Sequence, residues 1–300
     1  MILLACVLAN VLLAEITDDM IYIHEWGVIE MDELYLRASG CSDGYIDEYG
    51  YVQEYPMADV TAPVVYFYGA DCSGTFSVRI PDGSFTLLLP YPDSLAYDAS
   101  AEVRYTAVWE NLTIRSYEPS VDATTEASYL TRGPELDDCF AWAVPFWRMV
   151  PANRIHYSSA GYEDVFIYYE SEMSNPEMFI GEYYNHVGET LIFFPEDGEM
   201  VCSVATVPGE SDAIGETLSD LEIMAVLYSW GGGGMLPEEI AALWQTWKPL
   251  LRTRCELENL TMMLFPLTER QESMVSTLSF VPVENILIQF DRLLLGLGAI

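Results

Sequence analysis

TFSVRIPDGSFTLLLP, residues Thr75–Pro90, sets two apolar, β-branched and aromatic runs on either side of Pro81-Asp82-Gly83. Val, Ile, Thr and Phe favour extended backbone, whereas Pro, Asp and Gly interrupt it. The reading is a hairpin of two antiparallel strands, Thr75–Ile80 and Ser84–Pro90, because so short a turn leaves no room for a crossover. Pro195-Glu196-Asp197-Gly198 punctuates a second hairpin, between Thr190–Phe194 and Met200–Thr206. The same strand grammar covers Met20–Glu30, Ala62–Tyr68, Arg104–Arg115, Asp164–Tyr169, Leu260–Phe265, Met274–Phe280 and Ile286–Leu294. Strands do not alternate with helices, which disfavours the doubly wound nucleotide folds. The expected fold is mainly β, with antiparallel sandwich-like sheets.

One region departs from strand grammar. Residues 213–251 carry a helical stripe, Leu218, Leu221, Ile223, Met224, Leu227 and Tyr228, which stops at Gly231–Gly234. A second helix opens at Pro237, with Glu238 and Glu239 in its first turn, where the helix dipole favours acid. Its apolar residues Ile240, Leu243, Trp244, Trp247, Leu250 and Leu251 recur at helical spacing. This predicts a helical hairpin lying on a sheet face. Residues 119–138 are polar, contain Pro119 and Pro134 and lack periodicity. They read as a linker or long loop between β-rich units at 15–118 and 139–300.

The chain has 300 residues, with 12 basic and 47 acidic, and a formal charge of −35. At 51% hydrophobic it is still a folding composition, not a disordered one. So negative a chain is unsuited to nucleic acid or to an anionic membrane surface, both of which are bound through Lys and Arg. No segment reaches the roughly 20 apolar residues of a membrane helix. Residues 1–14 (MILLACVLANVLLA) have the length and apolarity of a secretory signal core, although no basic residue precedes the run. The alternative is a buried first strand. Export is the favoured reading and implies the periplasm or cell surface.

Ile23-His24-Glu25-Trp26-Gly27 resembles the signature of a group of uncharacterised, mostly exported bacterial proteins that carry His-Glu-Trp-Gly-Thr-Phe soon after the signal sequence. Here Val28-Ile29 replaces Thr-Phe. Three further stretches resemble the group in the same order: Pro63–Tyr68, Glu163 with Phe166, Tyr168 and Tyr169, and Gly234–Pro237 continuing through Glu239, Ala242, Thr246 and Trp247. The resemblance implies export and brings no established activity with it.

The three histidines, His24, His156 and His186, with Glu25 as a nearby carboxylate, form a candidate metal set, since imidazole suits zinc. Strand alternation opposes it, because His24 and Glu25 point to opposite faces. Glu25 shares its face with Ile21 and Ile23, which predicts a buried, hydrogen-bonded carboxylate, with Arg as a candidate partner. Calcium is the other candidate ion, through acids such as Asp43, Asp47, Glu48 and Asp71 in turn-rich segments. Cys41 and Cys72 sit in Gly/Asp-rich turns and form the candidate disulfide, while Cys202 reads as a core thiol. Tyr45, Tyr49, Tyr51 and Tyr55 cluster in an acidic segment and form the candidate binding surface. Two functions are carried forward. The first is a non-catalytic binding or structural module of the cell envelope, whose partner is a polymer or a protein. The second is a metal-dependent hydrolase built on the His/Glu set.

Overall fold

The protein is described by a computed structural model covering residues 19–31, 45–46, 52–53, 58–81, 83–98, 103–116, 142–173, 189–205 and 217–299. In chain order the strands are β1 (Met20–Met31), β2 (Tyr45–Ile46), β3 (Val52–Gln53), β4 (Ala58–Gly69), β5 (Cys72–Arg79), β6 (Gly83–Leu89), β7 (Ser94–Asp98) and β8 (Val103–Arg115). They continue as β9 (Arg154–Tyr157), β10 (Tyr162–Asp164), β11 (Phe166–Met173), β12 (Thr190–Glu196), β13 (Glu199–Ala205), β14 (Met262–Pro266), β15 (Thr277–Pro282) and β16 (Leu287–Ala299). The helices are α1 (Val144–Trp147), α2 (Asp220–Trp230), α3 (Pro237–Arg252), which runs on into a π-helical turn at Thr253–Leu257, and α4 (Glu269–Val275).

Two large sheets result, as the strand grammar predicts. The larger has the order β13-β12-β14-β16-β1-β4-β11-β6, and the smaller has β10-β9-β8-β5-β15 with β7 alongside β8. β1 and β16, mid-sheet neighbours, run parallel; every other strand pair among the described residues is antiparallel. Both sheets draw strands from either side of residues 119–138, so the two β-rich stretches build one pair of sheets together. Residues 119–138 themselves lie outside the described residues.

The Pro195–Gly198 hairpin forms as expected. Glu196 pairs with Glu199, and Asp197 and Gly198 both take positive φ, 51° and 85°, as a two-residue primed turn requires. The Pro81–Gly83 hairpin does not form. β5 pairs with β8 and β15, whereas β6 pairs with β11 at the edge of the other sheet. The turn is therefore a corner between sheets, which short turn chemistry alone cannot distinguish from a hairpin. The expected strand Met274–Phe280 is also corrected, because its first residues belong to α4. Thr268-Glu269-Arg270-Gln271 is a capping box, in which Gln271 Oε1 accepts the Thr268 N–H at 2.9 Å and Thr268 Oγ1 accepts the Gln271 N–H at 3.3 Å.

Alternation along β1 gives the larger sheet two distinct faces. Ile23 and its β4 neighbour Phe67 face the smaller sheet, where Phe67 meets Phe76 at 5.4 Å and Phe280 at 5.9 Å, and Phe76 stacks on Trp109 at 5.6 Å. His24 and Trp26 face the other way, toward α1 and α3. The predicted helical hairpin is α2 and α3, and Lys248, the only lysine, ties them by a 2.5 Å contact to Asp220. The layers are thus helices, sheet, sheet.

Candidate functional site

β1 carries the His24-Glu25-Trp26-Gly27 motif through the middle of the larger sheet, and neighbouring elements take up each of its side chains in turn. His24 is 2% exposed. Its Nδ1 lies 2.9 Å from Glu239 Oε2. A carboxylate only accepts, so Nδ1 is the donor and carries the proton. The same Oε2 accepts the Leu236 N–H at 2.7 Å, so Glu239 also closes the N-terminus of α3. On the other side of the ring, Nε2 is 3.7 Å from Asp291 Oδ2, too far for a hydrogen bond. Asp291 stands directly beside His24 on β16 and accepts from Gln289 Nε2 at 2.8 Å.

Tyr68 covers the imidazole with its ring centroid 4.5 Å away. Burial, and then the charge of Glu239, holds its hydroxyl well above the usual tyrosine range. Neither Tyr68 Oη nor Glu239 Oε1 makes a hydrogen bond of good geometry, although both are buried. The glycine turn after α2 passes close above. A Cβ on Gly234 would stand 2.8 Å from both Cγ and Oδ1 of Asp291. Glycine is therefore what lets that backbone approach the carboxylate.

Glu25 points to the opposite face and is 0% exposed. Its Oε1 accepts the Tyr169 hydroxyl at 2.5 Å and its Oε2 accepts Arg292 Nε at 2.5 Å. Arg292 is its direct β16 neighbour, so the expected arginine partner is present. Arg292 Nη2 donates to Ser276 Oγ at 2.6 Å, and Ser276 Oγ lies 2.8 Å from Tyr169 Oη, which closes a ring of hydrogen bonds between the sheets. Burial, followed by the charge of Glu25, pushes the Tyr169 hydroxyl well up.

Trp26 packs edge-on against Trp147 of α1 at 6.3 Å, and Trp147 Nε1 donates to Thr246 Oγ1 of α3 at 2.9 Å. Gly27 lies where the β1–β4 register slips, between Trp26 opposite Val64 and Val28 opposite Thr61. The four stretches singled out in the sequence meet here through β1, its neighbour β4, β11 with Phe166, Tyr168 and Tyr169, and α3 with Glu239 and Thr246, whereas Glu163 of the third stretch lies apart on β10 of the smaller sheet, opposite His156.

The histidine set does not come together among the described residues. His24 sits on the helix-facing side of the larger sheet, whereas His156 is exposed on β9 of the smaller one, opposite Thr113. His186 lies outside the described residues, as do Tyr49, Tyr51, Tyr55, Cys41, Asp43, Asp47 and Glu48. Tyr45 is described only as the first residue of β2. Cys72, the other half of the candidate disulfide, is a buried free thiol at the start of β5, pushed up to about 12 by burial and then by Glu284 and Asp71. It faces the core instead of the turn that precedes it. Cys202 is a buried thiol, as expected. Asp71 accepts the Ser116 N–H and hydroxyl, which hold its carboxyl below the usual range.

The sequence reading placed Glu239 only in the first turn of its helix, not beside His24, and did not single out Asp291. The signal for Glu239 was its spacing, since it precedes Leu243 by four residues and so shares the apolar stripe of α3. The signal for Asp291 was alternation, which places it on the opposite side of β16 from Arg292.

These features define a class: a mainly β protein of two stacked sheets with a helical layer, its His-Glu-Trp-Gly strand wired inside the core. No protein family, curated protein or solved structure matches the chain.

Proposed function

We propose that this chain is an exported, non-catalytic binding or structural module of the cell envelope, and that its His-Glu-Trp-Gly strand is the internal tie of the fold. One observation carries the reading: the motif's polar side chains are buried and engaged, His24 by Glu239 and Glu25 by Tyr169 and Arg292. A general base needs a free lone pair within reach of substrate. Glu25 has neither exposure nor an unshared oxygen, and it lies on the face opposite His24.

Ligand contact then falls to the surface. Tyr91, just before β7 of the smaller sheet, and Tyr97, within it, are 63% and 53% exposed. Exposed aromatics of this kind offer flat apolar area with a polar tip, which suits sugars and peptides. No described helix is long and apolar enough to cross a membrane.

The test is co-sedimentation of purified chain lacking residues 1–14 with insoluble peptidoglycan sacculi, alongside release assays for sugar, peptide and ester products. The expected result is retention without product release, with retention lowered in Tyr91→Ala/Tyr97→Ala at unchanged melting temperature. Product release that stops with EDTA would overturn the reading in favour of a hydrolase, and absence of retention would overturn the polymer partner.

A further inference from the structure

We infer that Asn111 and Asn259 are acceptor sites for N-linked glycan, and that the exported chain carries a sugar chain on each. The inference rests on the export reading proposed above, because this modification belongs to chains that leave the cytoplasm. The sequence supplies one tetrapeptide twice, Glu110-Asn111-Leu112-Thr113 and Glu258-Asn259-Leu260-Thr261. Each contains Asn-x-Thr with a middle residue other than proline, which is the acceptor pattern.

The fold presents both asparagines in the same way. Among the described non-glycine residues only Asn111, Asp197 and Asn259 have positive φ, and the two asparagines share a value of 56°. Asn111 lies in a bulge of β8, where Glu110 and Asn111 are the extra residues between Trp109 opposite Phe76 and Leu112 opposite Gly74. A bulge bends its strand and re-aims the side chains it carries. Asn259 follows the π-helical turn, which closes through the Leu260 N–H to the Arg254 carbonyl at 3.0 Å, and it precedes β14. Both asparagines are exposed. Asn153 shows the contrast: it is 6% exposed, its Nδ2 donates to the Gly69 carbonyl at 3.0 Å, and Arg154-Ile155 follows it in place of x-Thr. Tolerance of positive φ accounts for asparagine at 111 and 259, and the acceptor pattern adds the threonine two residues on.

The transfer joins Asn Nδ2 to C1 of an oligosaccharide carried on a lipid diphosphate. The bond from C1 to the diphosphate oxygen breaks, the lipid diphosphate leaves with the electron pair, and an amide proton passes to a base of the transferase. The structure also sets the order of events. Leu112 is buried, and Thr113 is half-buried in β8 between Ser73 of β5 and His156 of β9. An enzyme that must read the threonine hydroxyl together with the asparagine therefore meets the chain before β8 is paired. Folding then leaves each modified asparagine at the surface, where a bulky polar group displaces only water.

The experiment purifies the full chain from its native cells and reads the intact mass, the first residue, and tandem mass spectra of the peptides carrying Asn111 and Asn259. The expected result is a chain that begins after residue 14 with a sugar mass on each asparagine. Thr113→Val and Thr261→Val keep a β-branched residue in place and remove only the hydroxyl, so each should lose one sugar chain while the melting temperature shows the fold intact. Thr113→Ser and Thr261→Ser should restore the modification. A chain that begins after residue 14 with both asparagines bare would overturn the inference and leave export standing. A chain that retains residues 1–14 with both asparagines bare would overturn the export reading and the inference together. One bare asparagine would overturn the assignment of that site, and sugar that persists in the Thr→Val variants would overturn the acceptor pattern as its cause.

Discussion

Arg292→Met removes the guanidinium that neutralises Glu25 and leaves the rest of the core in place. Glu25 is fully buried, and Arg292 Nε supplies one of its two hydrogen bonds, with Tyr169 supplying the other. Breaking a buried ion pair from one side costs about 3–5 kcal/mol, because the remaining charge stays uncompensated. The Arg292 side chain is 15% exposed, so some water can replace it, which puts the expected loss near the lower bound, about 3 kcal/mol. Ser276 adds to the loss, since its Oγ and its carbonyl both accept from Arg292. The assay is equilibrium urea unfolding at neutral pH of wild type, Arg292→Met, and the double variant Glu25→Gln/Arg292→Met. Removing the buried charge together with its partner should recover more than half of the loss, because a neutral amide still accepts from Tyr169. A loss below about 1 kcal/mol in the single variant, the level of an exposed pair, would refute the claim that Glu25 is a buried, arginine-dependent charge. A double variant no more stable than the single would refute it equally.

Two further outcomes are expected. Gly74→Ala should destabilise by about 1–3 kcal/mol, as overpacking does, because the new Cβ would meet Phe280 Cζ at 2.5 Å and the Val281 carbonyl oxygen at 2.7 Å; urea unfolding with an unchanged midpoint would contradict this. Burial, partly countered by Arg292, raises the Glu272 carboxyl above its ordinary range. A raised folded-state value means that stability is fullest below the unfolded value and falls as pH rises through the folded one. Glu272→Gln, which keeps an acceptor for the Leu294 N–H, should therefore exceed wild type in stability at neutral pH and lose that advantage on acidification. An advantage that grew toward acid would reverse the assigned sign.

Much of the fold was legible because it follows from short-range periodicity. β1 reads as a strand from its Ile, Tyr, Trp and Val content, and burial on both faces explains why its apolar run is nearly continuous. α3 is legible from its stripe and from Pro237 at its start. What was not legible is pairing between distant segments. Nothing local distinguishes the Pro81–Gly83 corner from a hairpin, because that outcome depends on β11 occupying the edge that β5 would have used. The parallel partnership of β1 with β16 joins residues more than 260 positions apart and leaves no periodic trace. The site divides the same way. Alternation alone set His24 and Glu25 on opposite faces and predicted a buried Glu25 with Arg as a candidate partner. Glu239 was read as a helix-dipole acid, because a first-turn glutamate is ordinarily solvated; here it turns inward and serves the α3 terminus and His24 together.

The central claim is that the motif histidine ties the sheet to α3 through Glu239. It is tested most directly by a double-mutant cycle in urea, in EDTA, with His24→Leu, Glu239→Leu and the pair combined. The loss of the Leu236 N–H acceptor occurs in both Glu239 arms and cancels. The account predicts a coupling of about 1.5–3 kcal/mol, the range of a hydrogen bond to a charged group. Single losses that simply add would contradict the account and release His24 from a structural role.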